Sequence, residues 1–164
     1  MVKLRSRRKA VWVLIVCACG LARAEEPVKA SPEGTPLLVK TVPAAFEETV
    51  DPKLDRIAVT FDRPMRDQSW SWTGGGDTYP KVTGAISYDA AKTTCTLPVQ
   101  LEPGTVYWVG VNSPSHRNFK SQERVPAPWR VILFATAAAD GKPTPLPAGL
   151  LDQARKINGA VGTE

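Results

Sequence analysis

The chain has 164 residues, with 21 Lys and Arg against 16 Asp and Glu and a formal net charge of +5. Six of those bases fall in the first 24 residues, which hold no acid, so the remaining 15 bases face all 16 acids for a net of −1. A near-neutral body excludes an overall field that would draw nucleic acid or anionic lipid, and a single histidine, His116, excludes multi-histidine metal centres.

The first segment, 1–24, reads as a secretory signal peptide. Lys3, Arg5, Arg7, Arg8 and Lys9 form a positive start. Ala10 to Leu21 is an uncharged apolar run of 12 residues, and Ala22-Arg23-Ala24 places small residues where a signal peptidase reads. That run is short of the roughly 18 residues needed to cross a bilayer. Cleavage after Ala24 is therefore expected, giving an extracytoplasmic protein, periplasmic or secreted, with no membrane span. Arg7-Arg8 resembles a twin-arginine signal only loosely, since Lys9-Ala10-Val11 fits poorly after it. Val16-Cys17-Ala18-Cys19 resembles a lipobox, and lipid attachment at Cys19 is the alternative to cleavage.

The 140 residues after Ala24 hold one cysteine, Cys95. A lone thiol makes no internal disulfide, so the fold must rest on an apolar core. One domain of common size is expected. Residues 25–36, with Pro27, Pro32, Gly34 and Pro36, read as a linker.

Residues 37–136 carry short apolar runs punctuated by turn residues. Leu37 to Val42 stops at Pro43. Ile57 to Phe61 places Ile57, Val59 and Phe61 on one face and ends at Asp62-Arg63-Pro64. Ser69-Trp70-Ser71-Trp72 alternates before the turn at Gly74-Gly75-Gly76-Asp77. Gly84 to Tyr88 precedes a turn at Asp89-Ala90-Ala91-Lys92. Thr93 to Leu101 places Cys95, Leu97, Val99 and Leu101 together, and Pro98 within it predicts an edge strand or a bulge. Thr105 to Asn112 and Val131 to Thr136 complete the set. Alternation of period two between such breaks predicts strands with one buried face. About seven of them in roughly 100 residues predict an all-β, Ig-like antiparallel sandwich.

Residues 137–164 form a Pro- and Ala-rich tail. It holds a candidate short helix over Leu150 to Asn158, with Leu150, Leu151, Ala154 and Ile157 at helical spacing and Gly159 at its end. Such a helix is marginal on its own.

Within the sandwich, Leu101-Glu102-Pro103-Gly104-Thr105-Val106-Tyr107 has the form of a tyrosine corner, in which the Tyr107 hydroxyl bonds to backbone a few residues upstream. Its role is structural. Taken with Val42-Pro43-Ala44-Ala45, Val50-Asp51-Pro52-Lys53-Leu54, Ile57 to Met65, Trp70-Ser71-Trp72, Asn118-Phe119-Lys120, Pro126-Ala127 and Phe134-Ala135-Thr136, this order of motifs resembles the bacterial SbsA-type Ig-like domain family over about Leu38 to Thr136. The resemblance implies an extracytoplasmic β-sandwich acting as spacer, adhesive unit or accessory domain, with no shared catalytic residues. Two positions depart from the family pattern. Phe46 stands where a glycine usually follows Pro-x-x, and Arg124-Val125 where another is usual after Asn-Phe-Lys. Since glycine often serves positive φ, both changes bear on the local loops.

Few residues suggest chemistry. His116 lies in the loop Ser113-Pro114-Ser115-His116-Arg117 with no nucleophile elbow in the chain. Cys95 falls on an apolar face, as inert thiols do. Gly74-Gly75-Gly76-Asp77 lacks the lysine and helix of a phosphate loop and reads as a hairpin turn. Asp51, Asp55, Asp62, Asp67 and Asp77 lack calcium-loop spacing and suit turns. No catalytic residue, metal or cofactor is expected. Trp70, Trp72, Tyr79 and Trp129 fall near loops and are the candidate ligand-facing aromatics; Trp70 and Trp72 share a face, which either packs in the core or forms an exposed patch. Trp108, between Tyr107 and Val109, is expected to face outward or to a sheet edge. The expected function is a non-enzymatic envelope module, structural, adhesive or accessory, whose partner is an envelope protein or polysaccharide. A lipid-anchored subunit through Cys19 and a small hydrolase are the alternatives.

Overall fold

The structure, a computed structural model, describes residues 34–159. The leader, Cys19 and most of the 25–36 segment lie outside the described residues.

Eight strands and one helix follow in order: β1 (Leu38–Val42), β2 (Arg56–Phe61), β3 (Trp72–Thr73), β4 (Lys81–Val82), β5 (Ser87–Tyr88), β6 (Thr94–Gln100), β7 (Val106–Val111), β8 (Arg130–Ala135) and α1 (Ala148–Gly159). They build two antiparallel sheets. One runs β1-β2-β6-β4, with β5 also on β6, and the other runs β3-β7-β8. Among the described residues no helix is long and apolar enough to cross a membrane.

Alternation explains the core. Ile57, Val59 and Phe61 of β2 and Cys95, Leu97 and Val99 of β6 are buried, with the residues between them more exposed. From the other sheet come Tyr107, Val109 and Val111 of β7 with Ile132 and Phe134 of β8, all in the same cluster. Side chains from two sheets thus meet over one core, consistent with the expected sandwich. Fully burying one such aliphatic or aromatic side chain contributes about 1.5–3 kcal/mol.

Two expected runs are shorter than their alternation suggests. Trp70 and Ser71 precede the two-residue β3, and of Gly84 to Tyr88 only Ser87–Tyr88 is strand. Pro98 also departs from expectation, because β6 is an interior strand. In an extended strand the N and O of one residue point the same way. The Pro98 carbonyl accepts Thr83 N–H, so its missing N–H faces the gap between β4 and β5. The break falls in the neighbouring strand, where Gly84 lies against the Pro98 ring.

Residues 137–159 are part of the body. β8 is buried along both faces, and Val131, Leu133 and Ala135 pack against Leu146 and Ala154 in a second cluster. Leu150, Leu151 and Ile157 of α1 join it, as do Phe46, Trp108 and Trp129. Trp108 therefore faces out of the sandwich, as expected, but lies under α1. The free edge of β8 is covered as well. Phe46 N–H donates to Leu133 O, Ala135 N–H to Glu47 O and Val50 N–H to Ala135 O, while Asn158 pairs with Val131.

Side chains fix the corners. The Tyr107 hydroxyl accepts the Glu102 N–H at 2.8 Å, and its ring stacks on Phe134 at 5.3 Å. Asn112, buried and at φ +62°, donates to the carbonyls of Phe119 and Ala127 and accepts the Phe119 N–H at 2.9 Å. One amide thereby ties the 113–127 excursion to the end of β7. Phe46, and Arg124 of the Arg124-Val125 pair, adopt φ +70° and +67°. Both loops are left-handed at these positions without glycine.

Candidate functional site

The side of the molecule between β3 and the β4/β5 edge is where strand pairing is shortest. Gly74 to Gly76 end β3, and the Pro98 gap splits β4 from β5. The two sheets part there, and a cleft of about 370 Å³ opens down to Leu97. Trp70, Trp72 and Tyr79 wall it, with Val82 and Ile86 from the opposite sheet edge. All three aromatics are half-buried and pack on the core while facing this cleft.

Each ring is held. Trp70 lies 6.2 Å from the Tyr88 ring at 50°, and the Tyr88 hydroxyl donates to Ser69 O at 3.1 Å. Trp72 meets Phe119 edge-on at 5.2 Å. Its Nε1–H is buried without a hydrogen bond of normal geometry. It lies beside the Cys95 thiol, which burial pushes up to about 12, with the neighbouring Trp72 and Tyr88 side chains acting the other way. The Tyr79 ring packs closely against Gly74. A Cβ on Gly74 would strike the Tyr79 ring and the Trp108 carbonyl, and its φ of +146° also demands glycine.

Beside this cleft is a polar one of about 430 Å³, lined by Arg66, Asp67, Gln68, Ser69 and Lys120. Trp70 and Asn118 line both, so the two form one groove. Asn118 is fixed there by its backbone: its N–H donates to Ser71 Oγ at 3.1 Å and its carbonyl accepts from Ser69 Oγ. The Arg66 N–H donates to Lys120 O, joining the two sides of the polar cleft. Asp67 is paired with Lys92 at 2.9 Å, and that hydrogen bond holds its carboxyl below the usual range. Among the described residues Arg66 and Lys120 have no acid partner.

Three of the four candidate aromatics thus converge and the fourth does not. Trp129 sits in the second cluster beneath α1, apart from the cleft. Arg66, Asn118 and Lys120 are groove residues that the sequence does not single out, although Asn118 and Lys120 fall in Asn118-Phe119-Lys120. His116 lies at the cleft rim, its Nδ1 3.0 Å from Ser115 Oγ. Among the described residues no carboxylate orients this ring. The five aspartates serve local structure or stand apart: Asp51 accepts Lys53 N–H, Asp62 accepts Leu37 N–H and pairs with Arg63, and Asp55 pairs with Arg56. Among the described residues no group of three His, Cys, Asp or Glu could hold a metal ion.

Compared with models of known protein families, with curated proteins and with solved structures, the chain gives no match.

Proposed function

We propose that the protein is an exported, Ig-like module of the cell envelope that binds an envelope protein or polysaccharide through the groove at its open edge. The observation that carries this reading is the convergence of Trp70, Trp72 and Tyr79 on one cleft. Large aromatic faces held rigidly at a concave surface bury ligand area with little loss of side-chain freedom. The leader pattern supports export. The two-sheet packing, the Tyr107–Glu102 bond and the order of motifs support the SbsA-type resemblance. Binding rather than catalysis is favoured because, among the described residues, the His116 ring hydrogen-bonds to serine hydroxyls and to no carboxylate.

Two measurements test it. Expression of the full chain followed by fractionation and mass measurement should give an extracytoplasmic product beginning at Glu25. Lipid on Cys19 would make it an anchored subunit, and an unprocessed cytoplasmic product would overturn export. A hydrolase screen should show no turnover; turnover lost in His116→Ala would overturn the binding-module reading.

A further inference from the structure

We infer that the groove takes an acidic polysaccharide, a chain of uronate-bearing sugars, with a sugar ring on Trp70 and a carboxylate at Arg66 and Lys120. This rests on the groove being the binding site proposed above. Three observations lead to it. The aromatic and polar clefts are continuous through Trp70 and Asn118, so one extended ligand can occupy both. A pyranose ring has an apolar C–H face that suits an indole and a hydroxyl rim that suits an amide, and Trp70 and Asn118 offer these side by side. The polar end carries uncompensated positive charge: Asp67 is neutralised by Lys92, whereas Arg66 and Lys120 have no acid partner among the described residues. A planar guanidinium matches a carboxylate in a way that a neutral sugar cannot use.

An extended peptide suits this place less well. Added to a sheet edge, it needs a run of backbone partners, and β3 offers two residues before the Gly74–Gly76 turn.

The test is calorimetric titration of the protein, purified after expression of the full chain, with a galacturonate oligomer and with a glucose oligomer of equal length. The galacturonate oligomer should bind, and more weakly as salt is raised. Arg66→Gln and Lys120→Gln lie outside the core and should each weaken it about fivefold or more. Equal binding of the glucose oligomer, or full affinity in both variants, would overturn the acidic class while leaving the cleft reading standing. Absence of binding by both oligomers would overturn this inference. Galacturonate bound away from Trp70, as the indole signals would report, would overturn the cleft itself.

Discussion

Asn158 and Val131 are joined through both functions of one amide: Oδ1 accepts the Val131 N–H at 2.8 Å and Nδ2 donates to the Val131 carbonyl at 2.9 Å. The side chain stands in for a neighbouring strand at the open edge of β8. An unpaired edge invites association with another chain; here Asn158 closes it at Val131, and the backbone of Phe46, Glu47 and Val50 closes it at Leu133 and Ala135. Asn158→Ala should cost about 1–2 kcal/mol, since it leaves a half-buried N–H and C=O unpaired. Urea denaturation reads the loss, and faster exchange of the Val131 amide locates it.

Tyr107→Phe removes the acceptor of the Glu102 N–H and leaves the stacking on Phe134 in place. The expected cost is about 1 kcal/mol or somewhat more. A shift in urea midpoint at unchanged slope would show that the corner is lost and the fold retained.

Arg124 and Phe46 share a left-handed backbone but not a surrounding. Arg124 is exposed, so Arg124→Gly relieves about 1 kcal/mol or more of local strain and gives part of it back as unfolded-chain entropy. A net gain of about 0.5 kcal/mol is expected. Phe46 packs in the second cluster, with the Arg155 guanidinium 5.9 Å over its ring. Phe46→Gly should destabilise by about 1–3 kcal/mol despite the relieved backbone. Opposite signs in thermal melts check the pair.

These residues also show what the sequence discloses. Period-two alternation located β2 and β6 to within a residue or two, and it named Cys95, Leu97, Val99 and Leu101 as one face. The docking of α1 was not visible in α1, whose apolar stripe of Leu150, Leu151, Ala154 and Ile157 is narrow. The signal lay in its partner: Val131-Ile132-Leu133-Phe134-Ala135 is apolar at every position, the pattern of a strand covered on both faces. Pro98 misled because one strand's pattern carries no information on a break in its neighbour. Trp129 shares with Trp70 only its nearness to loops, which does not say which side of a sheet a ring occupies. Arg66, Asn118 and Lys120 meet only through tertiary contacts, so no local spacing marks them.

Cys95 should resist alkylation in the folded protein. Burial raises its thiol from 9.0 to about 12, so the reactive thiolate is scarce at pH 8. The folded state therefore holds the proton more tightly than the unfolded chain. Its contribution is complete below pH 9 and falls as pH rises from about 9 towards 12. Tyr88, also raised by burial, acts in the same direction. Iodoacetamide labelling should occur only with unfolding, and urea midpoints should drop across that alkaline window. Rapid labelling of the native protein would contradict the buried placement.

The proposed ligand site is the cleft between β3 and the β4/β5 edge. The described residues hold four tryptophans in two separate places: Trp70 and Trp72 at the cleft, Trp108 and Trp129 beneath α1. Their indole N–H signals in a nitrogen–proton NMR spectrum report the two places independently. On titration with acidic and neutral fractions of envelope polysaccharide, the Trp70 and Trp72 signals should move while those of Trp108 and Trp129 stay. Movement confined to Trp108 and Trp129, or binding that leaves all four unmoved, would rule out ligand entry at this cleft.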